Sequence, residues 1–216
     1  MDLPTFSYLR TMIQIKSFTF NLLGTNCFVV WDDSQRGCII CDPGMYRDFE
    51  TAALGDFIAA ERLTPEAVML THGHFDHIWS AAATARRYNC PVYMSPADKD
   101  TAKLGLALFD RIDFKKEVEL FDSIPVEDGQ SLHLGGVDWK VLSTPGHSPG
   151  GVCYYAESGR LLLSGDTLLA GTIGRSSTRI TVSFDPLHLM RLPVPCSSNI
   201  PSMVTSSFPL LGYSPA

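Results

Sequence analysis

The chain has 216 residues, enough for one large domain with a real core, and its 45% hydrophobic and 19% charged residues are those of a soluble globular protein. A net charge of -6, with no basic block beyond Arg86-Arg87 and Lys115-Lys116, argues against a nucleic-acid partner, because nothing is available to neutralise a phosphate track. No run approaches the roughly 18 apolar residues of a membrane span, residues 1–11 do not resemble a signal peptide, and six dispersed cysteines do not form a disulfide framework, so the expected setting is cytoplasmic with no membrane partner.

After an N-terminal extension over residues 1–11, the alternation Ile-Gln-Ile-Lys-Ser-Phe-Thr-Phe over residues 13–20 predicts a half-exposed strand. Residues 26–31 and 37–41 predict two more, joined by a turn at 32–36. Cys38 and Cys41 have C-x2-C spacing, but residues three apart on a strand point to opposite faces, so they read as buried thiols. Asp42-Pro43-Gly44 ends the third strand in a sharp turn. Apolar residues at Ala53, Leu54, Phe57 and Ile58 predict a helix over 49–62. A short buried strand at 67–70 delivers the chain into Thr71-His72-Gly73-His74-Phe75-Asp76-His77.

An Ala-rich helix is expected over 78–88, a strand over 91–95 and a helix over 97–108, followed by a charged, irregular crossing at 109–127. Residues 131–134 and 138–143 predict a hairpin around Gly135-Gly136, and residues 151–156 and 160–164 predict another. Hairpins, then strand–helix alternation, then hairpins again suggest two mixed sheets with helices outside, an α/β (α+β) arrangement.

The chemistry is concentrated at residues 72–77. Three imidazoles and a carboxylate, His72, His74, Asp76 and His77, fall within six positions of a chain with only 6 histidines. Neutral imidazole nitrogen and carboxylate oxygen are the ligands taken by zinc and non-haem iron. Holding such groups together without a cation is costly, since protonated imidazoles repel and a desolvated carboxylate needs a counter-charge. Two later turns at strand ends, Thr144-Pro145-Gly146-His147-Ser148-Pro149-Gly150-Gly151 and Ser164-Gly165-Asp166-Thr167, add His147 and Asp166 as candidate ligands.

These three motifs, in this order, resemble the metallo-beta-lactamase superfamily, and within it the short bacterial glyoxalase II-like hydrolases. Asn26-Cys27, Asp42-Pro43-Gly44 and residues 168–175 support the resemblance, which covers about residues 12–175 of an expected domain over 12–181. It implies a four-layer αββα sandwich with the site at one edge of the two sheets. It also implies two zinc ions: His72, His74 and His147 on the first, Asp76 and His77 contributing to the second, and Asp166 bridging. A metal-activated hydroxide would be the nucleophile, Asp76 would orient it and take part in proton transfer, and a small-molecule thioester such as an acyl-glutathione would be the substrate. Arg175, in the family's Gly-Arg turn, would contact an anionic substrate or form a structural ion pair.

The chain departs from the pattern at its end. The family's further histidine, in a Pro-Gly-His-Gly turn roughly 40 to 50 residues after Asp166, has no match, and His188 lies in a different context. Residues 182–216 hold one acid, Asp185, one base, Arg191, and 6 of the 14 prolines, a composition that favours loose order over the family's last strand and helix. Two explanations stand: a shifted reading frame after about residue 175, and natural divergence. Either leaves the second metal short of a ligand, so one metal is expected to bind better than the other. Two further functional readings remain: a persulfide dioxygenase using a single iron held by His72, His147 and Asp166, and an inactive truncated or miscoded family member.

Overall fold

The alternating segment at the start forms β1 (Ile13–Phe20) in the computed structural model, which describes residues 12–109, 119–169, 172–174 and 202–204. It pairs antiparallel along its whole length with β2 (Thr25–Asp32), which is buried throughout, and β2 pairs with β3 (Gly37–Cys41). From β3 onward the sheet grows by parallel pairing, which requires crossover connections. The crossovers are helices: α1 (Asp48–Ala60) leads to β4 (Thr64–Met69), and α2 (Phe75–Ile78) and α3 (Ala81–Tyr88) lead to β5 (Val92–Met94). A single 3-10 turn at Pro96–Asp98 continues into α4 (Lys99–Phe109), and the two-residue β6 (Ile124–Pro125) closes a six-stranded sheet in sequence order.

The second sheet is mainly antiparallel, built from β7 (Ser131–Leu134), β8 (Val137–Ser143), β9 (Val152–Ala156) and β10 (Leu161–Leu163). A small hairpin of β11 (Leu168–Leu169) and β12 (Thr172–Ile173) follows, and β13 (Ser202–Val204) adds to β10 in parallel. The remainder of the segment 182–216 lies outside the described residues, and with it the expectation about the tail.

Alternation along the strands sorts side chains into layers. Phe28, Val30, Ile39, Cys41, Ala67 and Met69 of the first sheet meet Val137, Trp139, Val141, Tyr154 and Leu163 of the second in the central core. The opposite faces of β2 and β3 present Val29, Trp31, Cys38 and Ile40 to Leu54 and Ile58 of α1. Cys38 and Cys41 therefore lie in different cores, as a three-residue separation on a strand requires. Val68, Leu70 and Val92 pack outward against Ile78, Trp79, Ala81 and Ala102 of the other helices. The outer face of the second sheet carries a smaller cluster of Cys153, Leu162 and Leu168, and no helix covers it among the described residues.

The helix expected over 78–88 begins only at Ala81 as α3; Ile78 ends the short α2 before it, and the chain breaks at Trp79 and Ser80. The Ser80 amide donates to Pro43 O at 2.9 Å and its hydroxyl to Met45 O at 2.6 Å, which draws this turn onto the loop after β3. At the other end, α3 stops at Asn89 in the left-handed conformation, φ 51°. Glu50 closes the start of α1 by accepting from the Tyr46 and Arg47 amides, 2.7 and 2.8 Å, while its other oxygen accepts from the Asn21 amide at 2.8 Å.

Tyr154 joins the sheets at the point where the chain enters the histidine cluster: its buried hydroxyl donates to Leu70 O at 2.9 Å. Tyr154→Phe leaves that buried carbonyl without its partner, so urea unfolding is expected to show a loss of about 1–3 kcal/mol. An unchanged midpoint would show that the bond contributes nothing.

Candidate metal centre

Four connections meet at one end of the sandwich: Asp42 after β3, residues 71–77 after β4, residues 144–151 after β8 and residues 164–167 after β10. The parallel pairing of β3 with β4 sends their last residues to the same edge, and the Val152 amide donates to Thr71 O at 2.8 Å, which pins the second sheet beside them. Rigid strands thus fix where each loop begins.

His72, His77 and Asp76 are buried, and His72 is surrounded by the other rings, with centroids 4.1 Å from His77, 4.7 Å from His74 and 5.0 Å from His147. His74 Nδ1 and His147 Nε2 approach to 2.9 Å. The two oxygens of Asp166 divide between the halves of the cluster: Oδ1 lies 3.4 Å from His77 Nε2 and Oδ2 3.3 Å from His147 Nε2. Asp76 Oδ2 lies 3.5 Å from His77 Nε2 and accepts the Thr25 hydroxyl at 2.6 Å.

The outer partners settle which nitrogens face inward. Asp42 accepts the Thr71 amide on Oδ1 at 2.8 Å and the Thr71 hydroxyl on Oδ2 at 2.6 Å. That hydroxyl has one hydrogen, and it goes to the carboxylate. The 3.0 Å contact between Thr71 Oγ1 and His72 Nδ1 must then be donated by the imidazole. His72 therefore carries its proton on Nδ1, and Nε2 is a bare lone pair. That Nε2 is buried and has no hydrogen-bond partner among the described residues. A buried acceptor left in this state is a cost unless a cation takes it. The same carboxylate receives His77 Nδ1 at 3.0 Å, which turns His77 Nε2 toward Asp76 and Asp166. Carboxylate–imidazole support of this kind orients metal-bound histidines.

Electrostatics divide the rings. Burial, reinforced by the neighbouring imidazoles, pushes His72 well below its ordinary pKa, and burial together with His147 lowers His74. Both therefore present neutral nitrogen at neutral pH. Burial would lower His77 too, but the carboxylates of Asp76 and Asp42, with hydrogen bonds to Asp166 and Asp42, hold it well above the usual range. That spot among three carboxylates calls for positive charge.

Two groups have ligand atoms within 4.8 Å of one another, His72 with His74 and His147, and His72 with Asp42 and His77. In the second, Asp42 is committed to three donors and faces His77 Nδ1, so it acts as an outer support rather than a ligand. The structure thus brings together all six residues singled out around the cluster: His72, His74, Asp76, His77, His147 and Asp166. Arg175 lies outside the described residues. Its neighbour Gly174 packs against Asp166 O and His147 Nδ1. Gly165 has φ +48° and lies against the Thr71 side chain, so a side chain there would be strained in backbone and would collide with the outer support.

Four residues of the centre were not read as functional in the sequence. Asp42 was read as a turn former and as part of a segment supporting the family resemblance, but not as a partner of the histidines, although an acid directly after an apolar strand is a signal in itself. Thr71, though part of the histidine motif, was given no role of its own, and Thr25 and Asp98 carry no local mark that separates them from ordinary strand-start and helix-start residues. Asp98 is fully buried and accepts from Gly73, Ser148 and Gly150.

Known proteins resemble this chain over most of its length. Among curated proteins, the chain is 35% identical over 155 residues to YqgX of Bacillus subtilis, named a probable metallo-hydrolase, covering 70% of this chain and 69% of that protein. It is 30% identical to BaeB of Bacillus velezensis, named a probable polyketide biosynthesis zinc-dependent hydrolase, covering 81% and 68%. It is 32% identical to the hydroxyacylglutathione hydrolase of Klebsiella pneumoniae, covering 76% of this chain and 53% of that one. Similar solved structures include the BLEG-1 B3 metallo-beta-lactamase, with TM-score 0.67, 32% identity and coverage of 77% and 78%. Another is TTHA1623 in a di-iron-bound form, with TM-score 0.65, 30% identity and coverage of 76% and 78%. The family model described as the metallo-beta-lactamase superfamily matches residues 20–199, and the chain belongs to that superfamily.

Proposed function

We propose that the chain is a metal-dependent hydrolase that cleaves a small thioester of the acyl-glutathione type into an acid and a thiol. The observation that carries the reading is the pair of oxygens on Asp166, one turned to His77 beside Asp76 and the other to His147 of the three-histidine set. That arrangement suits a carboxylate shared by two cations. The similarity to a hydroxyacylglutathione hydrolase supports the thioester as substrate class.

His72 through Nε2, His74 through Nδ1 and His147 through Nε2 would hold the first metal, and Asp76 and His77 would contribute to the second, with Asp166 between them. Zinc fits the imidazole and carboxylate set, and iron is the competing occupant. When bound, the metal supplies Lewis-acid polarisation of a carbonyl and ionises water near neutral pH.

The chain's own groups do the rest. Asp42 and Thr71 keep the His72 lone pair inward, so no proton competes for it at neutral pH. Thr25 fixes the rotation of the Asp76 carboxylate, which leaves that group set to orient an attacking water and accept its proton. Proton transfer to the departing sulfur needs little help, because a thiolate is a good leaving group at neutral pH. A cytoplasmic, reducing setting suits the five described cysteines. All five are free, and burial raises the pKa of each.

The zinc-loaded chain is expected to release free thiol from an acyl-glutathione, to stop when a chelator removes the metal and to recover when zinc returns. Iron as the only activating metal, with oxygen consumed on a glutathione persulfide and no thioester cleaved, would replace this reading with a dioxygenase. His72→Ala is expected to lower thioester cleavage by more than about 100-fold, since loss of an outer partner alone typically costs 10–100-fold. Retention of wild-type turnover would remove His72 from the centre.

A further inference from the structure

The two ligand-bearing loops that face each other across the centre, residues 72–77 and 147–150, come from different sheets. No backbone ladder joins Gly73 to Gly150. What joins them is one carboxylate. Asp98, in the 3-10 turn ahead of α4, is fully buried. Its Oδ2 accepts the Gly73 amide at 2.7 Å and the Ser148 hydroxyl at 2.7 Å. Its Oδ1 accepts the Gly150 amide at 2.6 Å and the Thr101 hydroxyl at 3.2 Å.

Three of these four bonds reach loops 25 to 52 residues away in the chain, and only the Thr101 bond is local. Gly73 sits between His72 and His74, and Ser148 is next to His147. Both glycines come so close that a Cβ at Gly73 would lie 2.7 Å from Asp98 O and one at Gly150 2.5 Å from Asp98 N. An acid needed only to start α4 would use Thr101 and solvent. Burying a carboxylate costs several kcal/mol unless donors surround it, and here the donors belong to both histidine loops.

We propose that Asp98 is a positioning residue for the metal centre: it fixes the His72–His74 loop and the His147 loop at one separation and so tunes metal affinity without touching the metal. The inference rests on the metal centre but not on the thioester. Asp98→Asn keeps the shape but turns an amide N–H₂ toward N–H or O–H donors on one side. The loops then lose their common acceptor and the three nitrogens lose their fixed spacing.

The test is zinc affinity of the full-length chain by competition with a chromophoric chelator, corrected for folded fraction by circular dichroism. Visible absorption of the cobalt-substituted protein reports ligand geometry. Folded D98N is expected to bind zinc about 10–100-fold more weakly than wild type, the usual cost of losing an outer support, with altered cobalt bands. Thr101→Val, which removes only the local bond, is expected to bind as wild type. Folded D98N with wild-type zinc affinity and unchanged cobalt bands, even with a lower melting temperature, would overturn the proposal and leave Asp98 a stabilising residue only. Should D98N not fold, Ser148→Ala decides, with roughly 2–10-fold weaker binding expected from one lost hydrogen bond and unchanged affinity overturning the proposal. A wild-type chain that takes up no zinc removes the metal centre and this inference together, whereas wild-type uptake with an unaffected variant removes the inference alone.

Discussion

Four imidazoles and three carboxylates packed within a few ångströms of one another impose a proton rule on everything around them. Each ring has two nitrogens, and a ring can offer a lone pair inward only if its other nitrogen keeps its proton on an outside acceptor. Asp42 supplies that acceptor twice, directly for His77 and through the Thr71 hydroxyl for His72. Its three short bonds use one carboxylate to set the direction of two rings. The bare Nε2 of His72 is the residue of this arithmetic: a buried lone pair that nothing in the described protein satisfies.

The fold meets this rule by bringing strand ends together. β3 and β4 run parallel and side by side, so Asp42 and Thr71 emerge at the same edge, and the backbone of Asp42 is held by its own bond to Met69 O. Asp42 itself has φ 51°, an unfavourable region for a residue with a side chain. The neighbouring contacts hold it there, as is common where the backbone serves a site. The second sheet is brought into register by Val152 on Thr71 and Tyr154 on Leu70. Both contacts flank the strand end from which the histidines depart.

The parts legible in the sequence were those whose signal is local. His72, His74, Asp76 and His77 announce themselves because they crowd one short segment, and β1, β2 and β3 are visible because alternation and apolar runs have short periods. The opposite-face reading of Cys38 and Cys41 needed only the two-residue period of a strand. The break at Ser80 was not legible, because it follows from bonds to Pro43 and Met45 that only the folded chain makes. Thr25 and Asp98 escaped for the same reason. Thr25 serves a carboxylate 51 residues on, and Asp98 reaches both ways along the chain; a threonine at a strand start and an aspartate before a helix are ordinary without those partners. The short pairings of β6, β11 and β12, two residues each, are below the length at which any periodicity exists.

This division between local and distant signals explains why the family is easier to read than the substrate. Ligand residues must be close in space, and three loops of a rigid fold can supply them as short motifs, so the metal chemistry leaves a compact signature. Substrate choice depends on walls around the centre, and those are contributed by side chains with no fixed spacing to the motifs. The similar proteins include one named a zinc-dependent hydrolase of polyketide biosynthesis, one named a hydroxyacylglutathione hydrolase and one solved in a di-iron-bound form, so family likeness alone fixes neither metal nor substrate. For the thioester proposed as substrate, a water set beside Asp76, whose carboxylate is locked by the Thr25 hydroxyl, would attack a carbonyl whose leaving group departs without strong acid assistance. A thioester meets that requirement more easily than an amide does, because thiolate leaves more readily than an amine anion.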